Sequence, residues 1–447
     1  MKKSMIYLLV FAILSPSLAF SGEADRLGCQ ICGMYIDQYQ RTAGKLVSTE
    51  GEEIHTCGLA CLLRLVEDKG GPDAFQSILV KDWVSGATIK ATAATYVISS
   101  NIVPDMLPNI IAFSSTKEAR DFVDKEGGEI LTFSQALTII SPTAMTMPAR
   151  IKTAVLPAKG ATGLAVGAMF MTMDDVIIGD DSVSPRSFIN RPGQMMGPKE
   201  MRSSATMLMA NYGITDDLAI DVKTAYLDKE MEMYRMGGKE TLTTTNSGLG
   251  DTLVSLRYNL YKNSKYSQFA SALLQTSVPT GDFDKDYISQ PGLQLGTGDF
   301  TFGGGLLYTY RYQNFWLHSM ASYTHKLENS EDFKFGDETL FGVALHYTPS
   351  YDLMFGLESD TIYYQENENS GTEVGNSGGT RSRLTGVISW RFLTALGGNF
   401  NLRLMAGLPV YEDLNHESKM GMEAVQMGGG YYASLSINYK RRYGDHH

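Results

Sequence analysis

Beyond about residue 160 the apolar residues of this chain recur at every second position, segment after segment. A period of two belongs to strands with one face in an apolar medium and the other in a polar one. Near the end of the chain Tyr431, Ala433, Leu435, Ile437 and Tyr439 alternate with Ser434, Ser436, Asn438 and Lys440. The same pattern sets Leu218, Ile220, Val222 and Tyr226 against Asp221 and Lys223, and Leu402, Leu404, Ala406 and Leu408 against Asn401 and Arg403. Short connections at GITDD, KNSK, YQN, PSYD and LGGN join these segments in pairs, and long polar stretches such as 175–201, 228–247, 280–299 and 364–381 separate the pairs. Alternation of short and long connections is the habit of outer-membrane barrels, which have short turns on the periplasmic side and long loops outside. Segments near 162, 203, 218, 251, 266, 300, 315, 339, 353, 383, 400 and 431 predict about twelve antiparallel strands, with aromatics at their ends and Tyr439 and Tyr443 close to the C-terminus. A soluble β-sandwich or closed soluble barrel is the structural alternative.

Export is consistent with that reading. Lys2 and Lys3 precede the apolar run MIYLLVFAIL and the small-residue end Ser17-Leu18-Ala19, the pattern of a secretory signal with cleavage after Ala19. The run is short for a membrane span, and no later run reaches the ~18 apolar residues that a transmembrane helix requires. A net charge of -11 argues against a nucleic-acid partner. The expected location is the outer membrane of a Gram-negative bacterium, in contact with its lipid, with the N-terminal part in the periplasm.

Residues 22–140 read as a small α+β domain, and 141–160, with three prolines and no sustained periodicity, as a linker to the barrel at 161–447. Two short strands are predicted around Glu50-Gly51, a helix from Gly58 to Asp68, strands at SILVKDWV, TAATYVIS and EILTF, and a helix over KEARDFVDKEGG capped by Ser115 or Thr116. All four cysteines lie here, in CQICGM (29–34) and HTCGLAC (55–61). Cys29 and Cys32 flank a turn closed by Gly33, so both sulfurs can face one centre, with the Met34 thioether beside them. Cys57 and Cys61 share a helix face, and His55 precedes them on a strand. Thiolate and thioether together select Cu(I), whereas four cysteines alone would suit zinc equally. Two disulfide staples, or a redox role for the CxxC pair, are the other readings of four cysteines in an exported chain.

These segments, with KDWVSGATIKATAATYVI and NIVPDMLPNIIAFSSTKEARDFVDKEGGEILTF, resemble the nitrous oxide reductase accessory copper-binding family (NosL-like) over about residues 26–140. The resemblance implies a periplasm-facing Cu(I) chaperone domain with a ββα-type repeat, and suggests Met106 as a further thioether ligand. The chain departs from the family pattern in its plain signal peptide and in the cysteine-rich HTCGLAC. The phrases NYGITDDLAIDV, GLGDTLVSLRYNLY and SVPTGDFD are similar to outer-membrane barrels of the phenol meta-degradation type, a likeness that bears on fold more than on substrate.

Lys223, Arg257, Arg311, Arg391, Arg403 and Lys440 share the polar faces with Asp221, Glu358 and Asp360, so the lumen is expected to carry both signs of charge and to be plugged by the linker or by inward loops. Methionines recur at Met169, Met171 and Met173 on the first strand and in loops at Met195, Met196, Met201, Met231, Met233, Met236, Met420, Met422 and Met427, with His416 nearby. No activated serine, carboxylate pair or phosphate-cradling loop points to an enzyme. The function expected is copper trafficking. Cu(I) held by Cys29, Cys32, His55, Cys57 and Cys61, with Met34 and Met106, would be exchanged with the barrel, a periplasmic cuproenzyme or a copper chaperone. The alternatives are a channel for small apolar or aromatic compounds with a stapled plug or regulatory domain, and an envelope thiol-disulfide protein.

Overall fold

The computed structural model describes residues 27–441 except 33, 70, 106–107, 141–146, 158, 264–266, 313, 351, 396–397 and 420–421. The predicted signal segment, Met106, Met420 and Tyr443 lie outside the described residues.

The N-terminal part has two antiparallel sheets. In the first, β1 (Gly44–Ser48) pairs with β2 (Glu53–Thr56) and with β3 (Phe75–Lys81), and β3 pairs with β4 (Thr88–Lys90). The β1–β2 turn needs Gly51 at φ 89°, in the left-handed region. In the second sheet β5 (Thr95–Ile98) lies between β6 (Ile110–Phe113) and β7 (Glu129–Leu131). Helix α1 (Leu59–Asp68) puts Leu62, Leu63 and Val66 into a core with Leu46, Ile54, Ile78, Tyr96 and Ala112. Helix α2 (Thr116–Glu126) starts at Ser115, whose hydroxyl accepts the Glu118 amide at 3.2 Å as an N-cap and donates to Glu118 Oε2 at 3.1 Å. The strand expected over EILTF stops at Leu131. Thr132 and Gln135 cap α3 (Phe133–Ile140) instead, through the Thr132 amide to Gln135 Oε1 at 2.9 Å.

The second part is a closed antiparallel barrel of twelve strands. They are Thr162–Met173, Gly197–Thr215, Leu218–Arg235, Thr252–Lys262, Gln268–Val278, Thr301–Tyr312, Phe315–Lys326, Glu338–Ser350, Leu353–Tyr364, Gly379–Ala395, Gly398–Leu414 and Tyr432–Arg441. Consecutive strands pair around the ring, and the twelfth closes on the first with Ser434 opposite Met169 and Ile437 opposite Val166. Closure satisfies every strand edge, as a sheet in lipid requires. Leu164, Val166, Leu274, Leu306, Phe341 and Leu404 point outward and are exposed, while Arg257, His318, His346, Glu358 and Asp360 point inward and are buried. Aromatic pairs Phe315–Tyr347 and Phe400–Tyr439, each with ring centroids 4.8 Å apart, stand at the short-turn end of the wall. The N-terminal domain meets that same end. Asn399 donates to the Glu67 carbonyl at 3.3 Å, and Arg311 pairs with Glu129 at 3.4 Å.

Residues 147–157, read from sequence as part of a linker, run through the barrel lumen. The Ala149 and Arg150 amides donate to Glu358 at 2.8 Å each, and the Arg150 side chain pairs with Asp360 at 3.2 Å. From there the chain turns back. Ser271 Oγ donates to the Ala154 carbonyl at 2.7 Å, and Arg257, itself bound to Asp221 at 2.8 and 2.9 Å, donates to the Thr153 and Val155 carbonyls at 3.1 and 3.3 Å. Ile151, Ala154 and Val155 pack on Phe269, Leu273, Trp316 and Met320. Gly342 makes room for the plug, because a Cβ there would stand 2.3 Å from Ile151 Cγ2.

These contacts predict that Gly342→Val combined with Glu358→Gln loosens residues 147–157 without touching a strand hydrogen bond. Planar-bilayer recordings of the full-length variant should show a larger conductance than the wild type. Equal conductances would mean that this segment does not obstruct the lumen.

Candidate metal centre

Two local structures bring the four sulfurs together. The Cys29 amide donates to the Met34 carbonyl at 2.8 Å and Gly28 bridges Tyr35, so Cys32 lies in the short connection between these paired ends. Cys57 follows the last residue of β2, and Cys61 lies in the first turn of α1. Gly58 separates them in extended conformation, and the helix ladder opens with the Leu62 amide on the Gly58 carbonyl at 3.0 Å. Thr42 Oγ1 donates to the Cys57 carbonyl at 3.2 Å and fixes the corner. Gly58, the N-cap of α1, has no side chain to cap the helix, and Cys61 lies in its first turn, at the positive end of the helix.

The four Sγ atoms all lie within 4.8 Å of one another, with Cys32 3.4 Å from Cys57 and Cys57 3.8 Å from Cys61. All four cysteines are free thiols. Cys29, Cys57 and Cys61 are buried and Cys32 is exposed, so the cluster has one open side. A metal with bonds of about 2.3 Å to sulfur holds tetrahedral neighbours roughly 3.8 Å apart. The sulfurs therefore stand near a coordinating arrangement before any metal arrives. Hydrogen bonds from Cys57 and Cys61 hold the Cys29 thiol far below the ordinary thiol range, and the same bonds, donated to Cys29, push Cys57 and Cys61 up. A soft cation entering the cluster displaces thiol protons.

The other predicted ligands are placed differently. Met34 is half-buried and packs against Cys29, Cys57 and Cys61 together with Ile31, Ile36 and Tyr39. His55 sits on β2 opposite Lys45, with Nε2 4.0 Å from Glu53, and is not part of the sulfur group. Its half-buried side chain is on the face of the hairpin away from the core residues Ile54 and Thr56. Sequence reasoning missed Asp105, whose carboxylate lies against Gly58, where a Cβ would stand 1.6 Å from Oδ2. The Cys-Gly pair at the start of α1 was the available signal, since a glycine there leaves space for an approaching side chain.

Residues 23–138 match the NosL family model, and residues 199–412 match the family described as putative MetA-pathway of phenol degradation. The chain is thus built of two parts, a NosL-like domain followed by a closed outer-membrane-type β-barrel. Among solved structures it is similar to an outer membrane channel from Pseudomonas putida F1, at 14% identity over 66% of this chain and 98% of that chain, with a TM-score of 0.48. It is also similar to the copper chaperone NosL from Shewanella denitrificans, at 23% identity over 27% of this chain and 95% of that chain, with a TM-score of 0.23. A monoaromatic hydrocarbon channel, CymD, aligns at 9% identity over 65% of this chain and 90% of that chain, with a TM-score of 0.32. No curated protein matches the sequence.

Exposure orders the reactivity of the sulfurs. In the reduced protein, alkylation followed by mass spectrometry should modify Cys32 well before Cys29, Cys57 and Cys61, and one equivalent of Cu(I) should protect all four together. Uniform rates, or protection confined to Cys29 and Cys32, would contradict a shared centre.

Proposed function

We propose that this protein traffics copper, with the N-terminal domain in the periplasm as the carrier and the barrel or a periplasmic cuproenzyme as the exchange partner. The observation that carries the reading is the group of four free sulfurs within 4.8 Å of one another, open to solvent on the Cys32 side. The match of residues 23–138 to the NosL family supports it. Cys29, Cys32, Cys57 and Cys61 would bind Cu(I), and Met34 at the edge of the cluster, with Met106, would supply thioethers during transfer. Soft sulfur donors hold Cu(I) by covalency and exchange it through associative steps, in which an incoming sulfur binds before another leaves. The open side at Cys32 gives such a donor access. The centre does not need His55.

Cu(I) rather than zinc is favoured by the thioether beside the thiols, and the contact of the N-terminal domain with the short-turn end of the barrel supports a periplasmic position. A second reading, a channel for small apolar or aromatic molecules, is supported by the match of residues 199–412. The inward side chains count against it, because Arg257, Glu358, Asp360 and His346 line the barrel and its middle is filled by residues 147–157.

The test is a Cu(I) competition titration of the reduced full-length protein in detergent, against a chelator of known affinity. One tightly bound equivalent is expected, weakened at least a hundredfold by Cys29→Ser/Cys32→Ser and unchanged within threefold by His55→Ala. Affinity should rise with pH, since binding displaces thiol protons. An unaffected Cys29→Ser/Cys32→Ser variant, or a preference for Zn(II) over Cu(I), would overturn the proposal.

A further inference from the structure

The plug fills the lumen unevenly. Residues 149–155 lean on the fourth to ninth strands, through Arg257, Ser271, Thr309, Met320 and Glu358. On the other side, against the first, second, eleventh and twelfth strands, a cavity of about 250 Å³ remains, and five thioethers line it: Met147, Met169, Met207, Met209 and Met405. Its further lining by Asn401, Asn438 and Lys440 places it toward the short-turn end, where the N-terminal domain sits.

Register extends this cluster into a series. Along the paired first and second strands, the inward positions place Met209 opposite Ala165, Met207 opposite Gly167, Met169 opposite Ala205, Met171 opposite Ser203 and Met173 opposite Met201. Each of these five successive inward rungs carries a methionine, and in four of them the partner is Ala, Gly or Ser. Rungs two residues apart are separated by about 6.8 Å, so the series covers about 27 Å, close to the ~25 Å apolar band of an outer-membrane barrel. A methionine on one strand and another on the next rung across are about 7–8 Å apart at the backbone, within reach of two flexible thioethers sharing one ion.

Methionine also serves as an apolar filler, and filler would be expected on the lipid face as well. Among the described residues, the exposed large apolar side chains of the twelve strands are Leu, Val, Ile, Phe, Tyr and Trp, and the exposed methionines Met195, Met196, Met236 and Met422 are in the loop regions. The small partners leave room beside the thioethers, of which Met201 and Met207 are buried and Met169, Met171, Met173 and Met209 are half-buried. Arg150, Lys223, Arg257, Arg403 and Lys440 line the same cavity and no carboxylate does, although Arg150 and Arg257 are paired with Asp360 and Asp221, so a hydrated divalent cation is repelled and only an ion that gains bonds to sulfur is held there.

We propose that this rung series is a thioether path for Cu(I), and for its analogue Ag(I), through the barrel from the cavity at the short-turn end. The cargo rests on the copper reading of the N-terminal domain; the path rests on the barrel's own register. The ion passes by ligand exchange between neutral thioethers, with no change of oxidation state and no proton released.

The experiment uses the full-length chain with Cys29, Cys32, Cys57 and Cys61 all changed to Ser, which removes the other sulfur centre. Cu(I) titration under reducing conditions should show binding weaker than that of the wild type and independent of pH between about 6 and 8, because thioethers carry no proton. Zn(II) should not compete. Met169→Leu/Met207→Leu/Met209→Leu conserves volume and should lower the affinity at least tenfold and slow Ag(I) entry into proteoliposomes by a similar factor. Met195→Leu/Met196→Leu/Met236→Leu should change neither. Unchanged binding and flux in the first triple variant, shown to be folded by its heat-dependent electrophoretic mobility, would overturn the path. Binding that disappears entirely with the cysteines would overturn the path and leave the carrier domain standing. Binding that survives their removal undiminished and is lost with Met169, Met207 and Met209 would support the path and overturn the carrier reading.

Discussion

Pairing of the first strand with the twelfth is the interaction on which the barrel depends. With Ser434 opposite Met169 and Ile437 opposite Val166, no backbone donor or acceptor of the wall is left facing lipid by an open edge. Closure also fixes which side chains turn inward. Once Val166 and Phe170 meet lipid, Ala165 and Met169 must meet the lumen. Twelve strands enclose a space too large for their own side chains to fill, and buried Glu358 needs donors that the wall supplies only in part, through His346 at 3.1 Å. Residues 147–157 provide the remainder with the Ala149 and Arg150 amides, so plug and wall satisfy each other's polar groups.

That arrangement connects the two halves of the molecule. The segment inside the barrel follows directly on the N-terminal domain in sequence, and the domain touches the short-turn end through Glu67 and Glu129. The unfilled side of the lumen, next to that segment, is where the thioethers collect. The N-terminal domain and the thioether-lined cavity share the short-turn end of the barrel.

Much of this was legible in the sequence, for reasons that differ by element. The strands were readable because the side-chain period in a sheet is two, so each of the twelve segments announced its own faces, and the short turns at Asp216-Asp217 and near Gln313 separated them. The sulfur centre was readable because a CxxC turn and an i, i+4 pair at a helix start each bring two sulfurs to one side using local geometry alone. His55 was misleading because it is adjacent to Cys57 only along the chain. On β2 Ile54 and Thr56 face the core, so His55 between them faces outward beside Lys45. Helix α3 was overlooked although Thr132-x-x-Gln135 is a capping signature. The course of residues 147–157 could not be read, only suspected, since its partners Glu358 and Thr309 lie more than 150 positions away in sequence.

The most direct measurement is X-ray absorption at the copper K edge on the reduced full-length protein loaded with one equivalent of Cu(I). The account predicts a first shell of sulfur alone, three or four atoms at about 2.3 Å, changed by Cys57→Ser and unchanged by His55→Ala. A first shell containing nitrogen or oxygen, or a spectrum that does not respond to Cys57→Ser, would contradict it.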